Sequence, residues 1–326
     1  MEPIRLELPT GLDVGPVNVY LFRLPEPILV DTGLKSPESW EALQFALAEH
    51  NLTVMDLSRV IITHPHIDHF GQVGTIAAHS DADIWICDLG AGWLTHSELM
   101  WAERLDFYRR DFLPYIGFDP LIAALFADGM RSFADMYDPA PPERIHTFTA
   151  DGLLQMGGLP WRVLHTPGHS SAQTCFYQPD TKQLLSADHL LKTTPTPVVE
   201  RPSPPAQSRV PALPQFMRSL ALIASLDVEA VYPGHGRPFG RRFNQDHHPI
   251  IEKQCRRIRQ RKADCLNHIR AGVRTPATLL DVMYAHHPPQ IRFAGLWMLI
   301  GYLDLLIEDG AIHQETVDGV WHYYES

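Results

Sequence analysis

The run His-Pro-His-Ile-Asp-His at residues 64–69 constrains this chain more than any other feature of its sequence. It follows residues 60–63, a β-branched segment that predicts a short strand. Four potential metal ligands in six residues cannot all face one way on a helix or strand, whereas a loop leaving a strand end can bring them to one point. Borderline-soft divalent metals bind imidazole and carboxylate in this mixture. The run therefore predicts a metal site at a strand end.

More potential ligands recur in the same context. His169 lies in Thr-Pro-Gly-His-Ser, His235 in Tyr-Pro-Gly-His-Gly, and Asp188 follows Leu-Leu-Ser-Ala, each after a predicted apolar strand. Glycine lets the backbone turn sharply beside a ligand, and proline stiffens the approach. Seven ligands are too many for one tetrahedral ion, but they fit two ions that share a bridging carboxylate.

The rest of the chain alternates short strands with helices, which predicts an α/β fold. Residues 90–142, rich in aromatic and Met side chains, predict a helical insertion. Residues 193–214 contain seven prolines and predict an extended surface loop. After a helix over 248–270, the pattern becomes helix, helix and hairpin.

Composition limits the classes of function. The 326 residues are 45% hydrophobic and 20% charged, which allows a large buried core. A net charge of −11 argues against non-specific binding of nucleic acid or membrane by the whole molecule. No apolar stretch approaches the ~20 residues that span a bilayer, and the first residues predict no signal peptide. We therefore expect a cytoplasmic protein without membrane contact, and reduced, structural cysteines.

The sequence resembles the metallo-β-lactamase superfamily. The run at 64–69 is the most specific mark, and Asp31 in Val-Asp-Thr-Gly, His169, Asp188 and His235 follow in the family's order and spacing. The resemblance covers roughly residues 4–240. It implies an αββα sandwich over residues 1–247, with the site at one edge of the two sheets. Residues 248–326 resemble the small winged-helix-like appendage of some members.

The resemblance also implies a role for each ligand. His64, His66 and His169 would hold the first metal, Asp68, His69 and His235 the second, and Asp188 would bridge the two. Asp31 would accept a hydrogen bond that orients a ligand histidine. His189, outside the common motif, is either a proton donor near the site or a structural histidine, and Ala187 stands where the family usually has Gly. The cofactors would be two divalent ions, zinc first, with manganese or iron as alternatives.

The leading prediction is a dinuclear metal-dependent hydrolase in which a metal-bridging hydroxide attacks a small acyl substrate, a thioester or a lactone. Asp68 would orient the hydroxide. One alternative is a metal-dependent ribonuclease or phosphodiesterase, because such a branch joins this core to a C-terminal winged helix. The other is a mono-iron enzyme resembling persulfide dioxygenases, a branch that gives up the second site, which this chain retains.

Two features bear on the substrate and partners. The insertion is interpreted either as a lid with an apolar pocket or as packing on the core. Nine Lys or Arg residues lie between 237 and 262, and we expect Arg237, Arg241 and Arg242 to bind an anionic group of a small substrate, with RNA as the alternative. The second C-terminal helix is apolar and has few cations, so we expect it to be buried, as support or as a homodimer contact.

Overall fold

The computed structural model describes residues 2–192, 200 and 209–326. Its first sheet has six strands in chain order: β1 (Ile4–Leu8), β2 (Val17–Phe22), β3 (Ile28–Val30), β4 (Arg59–Ile62), β5 (Asp83–Cys87) and β6 (Ile145–Phe148). The first three strands are antiparallel, and β3 to β6 are parallel. The chain leaves β4 directly into the histidine run.

The second sheet has five strands in the order β11-β10-β9-β8-β7. Their bounds are β7 (Leu153–Met156), β8 (Leu159–His165), β9 (Thr174–Gln178), β10 (Gln183–Ala187) and β11 (Ala230–Pro233). The pair β10 and β11 is parallel, and the other pairs are antiparallel. Because parallel strands end at the same edge, Asp188 and His235 emerge side by side.

Helices cover the outer faces and form the insertion. They are α1 (Pro37–Ala48), α2 (Ile67–Phe70), α3 (Val73–His79), α4 (Ala91–Thr95), α5 (Ser97–Phe107), α6 (Leu113–Ile116), α7 (Pro120–Arg131), α8 (Ala212–Ala224), α9 (His248–Arg270), α10 (Pro276–Met283) and α11 (Pro289–Glu308). The C-terminal hairpin follows, with strands β12 (Ile312–Val317) and β13 (Val320–Glu325). Ser36 caps α1 by accepting a hydrogen bond from the Ser39 amide, and Pro37 opens the helix.

The predicted αββα sandwich is confirmed by how side chains alternate along the strands. Ile28 and Val30 on β3 face the second sheet. In the layer between the two sheets, the ring of Phe22 on β2 meets the ring of Trp161 on β8 edge to face, with centroids 5.6 Å apart. Leu29, between Ile28 and Val30, joins the core under the outer helices instead. Strand β3 therefore contributes to two apolar layers, as a buried strand covered on both faces must.

A third core joins the insertion, α8 and the C-terminal helices. Trp297 on α11 lies 5.6 Å from the Tyr108 ring and also contacts Phe112 and Phe126 of the insertion. Leu299 and Ile300 of α11 are fully buried, so the prediction that this helix is buried is confirmed. Helix α9 begins at His248, where the sequence predicts the second domain to start. The third core nevertheless contains residues from both sides of this boundary.

The structure corrects two sequence predictions. Most of the proline-rich loop predicted over 193–214 falls on 193–199 and 201–208, outside the described residues, but α8 already begins at Ala212. Pro214 lies in its first turn, where a missing N–H costs no helical hydrogen bond. In the histidine run, one helical turn, α2, carries Asp68 and His69 where a loop was expected.

Within the described residues, no helix is long and apolar enough to cross a membrane.

Candidate metal centre

The seven predicted ligands meet where strand ends of both sheets converge. The first sheet contributes the residues that follow β4, and the second contributes residues after β8, β10 and β11. The candidate ligands are His64, His66, Asp68, His69, His169, Asp188 and His235. Close packing of the two sheets, rather than any local motif, brings these loops to one edge.

His64, His66 and His169 form the first triplet. One nitrogen from each lies within 4.8 Å of the others. The ring centroids of His66 are 4.5 Å from those of both His64 and His169. His64 is fully buried and His169 nearly so. Three converging imidazoles are a usual ligand set for a catalytic zinc ion.

Asp68, His69 and His235 form the second triplet, with ligand atoms again within 4.8 Å of one another. The Nε2 atom of His235 lies 3.3 Å from Asp68 Oδ2, and the Nε2 atom of His69 lies 3.9 Å from the same oxygen. All three side chains are at most one-tenth exposed. This set combines imidazole with carboxylate, as the sequence predicts.

Asp188 joins the two triplets. Its Oδ2 atom lies 3.6 Å from His169 Nε2 in the first triplet and 3.3 Å from His235 Nε2 in the second. Its Oδ1 atom lies 3.4 Å from His69 Nε2. A carboxylate within reach of both sets is what a shared ligand of two ions requires.

The donor set fits two divalent ions. The buried Nε2 atoms of His64, His69 and His235, together with Oδ1 of Asp188, have no hydrogen-bond partner among the described residues. Leaving such atoms unsatisfied costs roughly 1–3 kcal/mol each, so their concentration at one point calls for a ligand. Imidazole and carboxylate donors suit zinc, iron or manganese.

Hydrogen bonds behind the triplets fix which nitrogen of each imidazole faces the centre. The Nδ1 atom of His69 donates to Asp31 Oδ2 at 2.8 Å, and that of His235 donates to the Pro16 carbonyl at 2.8 Å. The Nδ1 atom of His64 lies 3.0 Å from the Thr63 hydroxyl, which donates to Asp31 at 2.9 Å. Asp31 thus hydrogen-bonds to one candidate ligand directly and contacts a second through Thr63, as an orienting residue would.

The sequence analysis missed Thr63 and the Pro16 carbonyl. Thr63 stands between β4 and His64, and its amide also donates to Asp31 at 2.8 Å. Its position beside the first ligand was the available signal. A backbone carbonyl such as that of Pro16 carries no side-chain signal at all.

Burial and neighbouring charges shift the pKa values of His64 and His235 in opposite directions. Burial, followed by the charges of His69, His66 and His169, lowers the pKa of His64 well below its usual value, so this ligand is neutral. Burial also lowers the pKa of His235, but Asp188 and Asp68 outweigh it and raise that pKa to about 10. A metal must therefore displace a proton from His235 when it binds at neutral pH.

His189 is buried against Phe216, with ring centroids 4.6 Å apart. Burial, followed by the charge of His169, lowers its pKa to about 3. The imidazole is therefore neutral and lies packed on a phenyl ring.

The three predicted anion-binding arginines separate in space. Arg237 is exposed two residues beyond His235, near the metal edge. After it, the chain turns back beside β11, with Phe239 opposite Val231. Arg241 therefore pairs with Asp227 at 2.5 Å, and Arg242 pairs with Glu2, both at the end of the sheet away from the ligands. The structure brings neither of them to the centre.

Gly234 has no room for a side chain. A Cβ atom there would lie 2.0 Å from Asp188 Oδ1 and 2.9 Å from His69 Cε1. We predict that Gly234→Ala displaces Asp188 and lowers metal content from about two ions per chain to one or fewer, measured by elemental analysis. Gly236→Ala is the control, because its φ of +79° brings strain but nothing lies within 4 Å of the new Cβ. Full metal content in Gly234→Ala would contradict this geometry.

Asp31→Asn should weaken metal binding. Asn tolerates the left-handed φ of +64° at this position, but its amide nitrogen cannot accept the bonds from His69 and Thr63. We expect a loss of about 10- to 100-fold in metal affinity, measured by competition with a chelator. Thr63→Ser keeps the hydroxyl and should retain wild-type affinity. Equal affinities for Asp31→Asn and wild type would show that the orienting bond is dispensable.

The sequence is similar to a known protein family and to individual known proteins. The family model of the metallo-beta-lactamase superfamily matches residues 12–235, more than half of the chain. The probable metallo-hydrolase YqjP of Bacillus subtilis is 25% identical over 314 residues, covering 95% of this chain and 94% of that protein. The atrochrysone carboxyl ACP thioesterase of Aspergillus fumigatus is 23% identical over 302 residues, covering 89% of this chain and 76% of its own.

Solved structures share the fold over nearly the whole chain. The metallo-beta-lactamase family protein TTHA1429 of Thermus thermophilus matches with a TM-score of 0.76 and 23% identity, covering 99% of this chain and 98% of that one. A beta-lactamase domain protein of Burkholderia ambifaria matches with a TM-score of 0.77 and 22% identity, covering 99% and 92%. The chain therefore belongs to the metallo-β-lactamase superfamily, whose members bind divalent metals, and it is a metal-dependent hydrolase.

Proposed function

We propose that the chain is a dinuclear hydrolase of small acyl compounds, with a thioester as the favoured substrate and a lactone as the second choice. The observation that carries this proposal is the position of Asp188 between two complete triplets. Support for the thioester comes from the relative named as an acyl-carrier-protein thioesterase. We propose zinc as the resident metal, because the first triplet consists of three imidazoles.

The reaction we propose is addition of water to the acyl carbonyl. Two divalent ions, when bound, supply Lewis acidity that polarises the carbonyl and makes water reactive near neutral pH. The carbonyl carbon gains a bond to the water oxygen and loses its bond to sulfur. One proton of water passes to the departing thiolate, so the products are a carboxylic acid and a thiol.

The chain's own residues hold this chemistry in place. His64, His66 and His169 would hold one ion, Asp68, His69 and His235 the other, and Asp188 both. The Asp68 carboxylate, 3.3 Å from His235 Nε2, would accept a hydrogen bond from the attacking water and so orient it. Asp31, behind His69, keeps that imidazole in the tautomer that a ligand needs.

Three of the nine cations in the basic stretch give no support for RNA as the substrate. Arg241 pairs with Asp227, Arg242 with Glu2, and Lys262 with Asp309 at 2.6 Å. Cations that already have carboxylate partners offer little net charge to a phosphate backbone. The second triplet likewise argues against a mono-iron site, since it brings Asp68, His69 and His235 together.

Metal removal should abolish activity and lower stability. Stripping the ions leaves buried carboxylates and imidazoles without partners, so we expect a loss of at least 100-fold in thioester hydrolysis and a fall of several degrees in Tm. A panel of ester, thioester, lactone and single-stranded RNA substrates measures the first, and a thermal shift the second. Zinc should restore both. Metal-independent turnover, or cleavage of RNA alone, would refute the proposal.

Asp68→Asn should lose activity while keeping the fold. The amide removes the charge that orients water but preserves the shape, so we expect kcat to fall by about 10²-fold or more. Asp81→Asn is the matched control, because Asp81 is fully exposed and pairs only loosely with Arg144. Near-identical rates for Asp68→Asn and wild type would remove Asp68 from the mechanism.

A further inference from the structure

A buried arginine of the insertion lies beside the first triplet. Arg104 on α5 has a side chain that is 7% exposed. Its guanidinium carbon lies 4.2 Å from the centroid of the Trp93 ring and 5.3 Å from that of the Trp101 ring. Two indoles at these distances hold the guanidinium in place by cation–π attraction.

Contacts with the site's own loops place Arg104 near the metal ligands. Glu200 Oε1 lies 3.6 Å from Arg104 Nη2, and Glu200 Oε2 accepts a hydrogen bond from the Ser171 amide at 3.2 Å. Ser171 is two residues from His169. Arg104 is also among the charged groups that act electrostatically on His66 of the first triplet.

The described residues offer the Arg104 guanidinium few hydrogen-bond acceptors. Among the described residues, Glu200 is the only carboxylate within 4 Å of its guanidinium, and 3.6 Å exceeds the 2.7–2.9 Å of a charge-assisted hydrogen bond. By contrast, the similarly buried Arg209 makes two bonds to Asp304, at 2.7 and 2.5 Å. Burying a guanidinium is costly unless such bonds form, so Arg104 calls for a further acceptor.

A second donor beside it also has no acceptor within the described part of the chain. The indole Nε1 of Trp101 is buried, and no described residue accepts its hydrogen. The Trp101 ring belongs to the pair that flanks the guanidinium. A forked cation and an indole N–H together suit a group that carries charge on two or more oxygens.

We propose that Arg104, with the Trp101 N–H, binds an anionic oxygen group of the substrate, a carboxylate or a phosphate, while the acyl carbonyl reaches the metal centre. This deepens the proposed function, on which it rests, by making the substrate an anionic acyl compound. Arg104 is then a specificity-determining residue, and the insertion that carries it selects the substrate.

Two matched substrate pairs test this proposal and identify the source of the anion. Succinyl and butyryl thioesters of N-acetylcysteamine differ by a carboxylate on the acyl group. Butyryl thioesters of coenzyme A and N-acetylcysteamine differ by phosphates on the thiol. In at least one of the two pairs, Arg104→Met should lower kcat/KM for the anionic substrate at least 10-fold, mainly by raising KM. It should change kcat/KM for the less charged substrate of that pair less than 3-fold.

Two further variants separate specificity from folding. Arg104→Lys keeps the positive charge but loses the paired N–H donors of the guanidinium. It should therefore recover part of the preference for the anionic substrate, even if Arg104→Met is poorly folded. Arg110→Met, at an exposed arginine of the same insertion, should match wild type on every substrate. An equal fall on both members of both pairs, or no fall, would overturn the proposal.

A binding measurement keeps this inference distinct from the proposed function. Succinate and inorganic phosphate are titrated calorimetrically into the metal-loaded wild type, Arg104→Met and Arg110→Met. At least one anion should bind about 10-fold more weakly to Arg104→Met alone, even if no thioester is hydrolysed. Anion affinities that are equal in all three proteins, or no anion binding at all, would refute the role of Arg104 whatever the reaction.

Discussion

The structure depends on the buried carboxylate of Asp188, which contacts histidines supplied by both sheets. His69 follows the first sheet, whereas His169 and His235 follow strands of the second. A carboxylate without water around it is expensive unless positive charge or a metal compensates it. The ends of the two sheets must therefore stay in register at this edge, and Gly234 gives Asp188 the room to lie between His69 and His235.

The convergence of the seven candidate ligands could be predicted from sequence because each follows an apolar strand within a few residues, where position along the chain almost fixes position in space. The arginines could not. Arg241 is only six residues from His235, but the chain reverses beside β11 and carries it to the other end of the sheet. Arg104 was missed for the opposite reason, since a helix far along the chain brings it to the site.

Ala187 shows how a departure from the family's pattern has a local physical meaning. Its φ is +43°, a left-handed conformation that costs a residue with a Cβ atom about 1–2 kcal/mol, so the usual glycine is understandable. The sandwich retains this strained turn because the β10–β11 pairing and the bond from the Gly234 amide to the Ala187 carbonyl hold it. Strain here sets the direction in which Asp188 leaves its strand.

The third core links substrate choice to residues remote from the chemistry. Tyr108, one helical turn beyond Arg104, stacks on Trp297, so the position of α5 depends on how the C-terminal helices pack. Changes on α11 could then shift the insertion without altering any metal ligand. If Arg104 selects the substrate as proposed, substitutions on α11 would change substrate preference and leave the metal ligands in place.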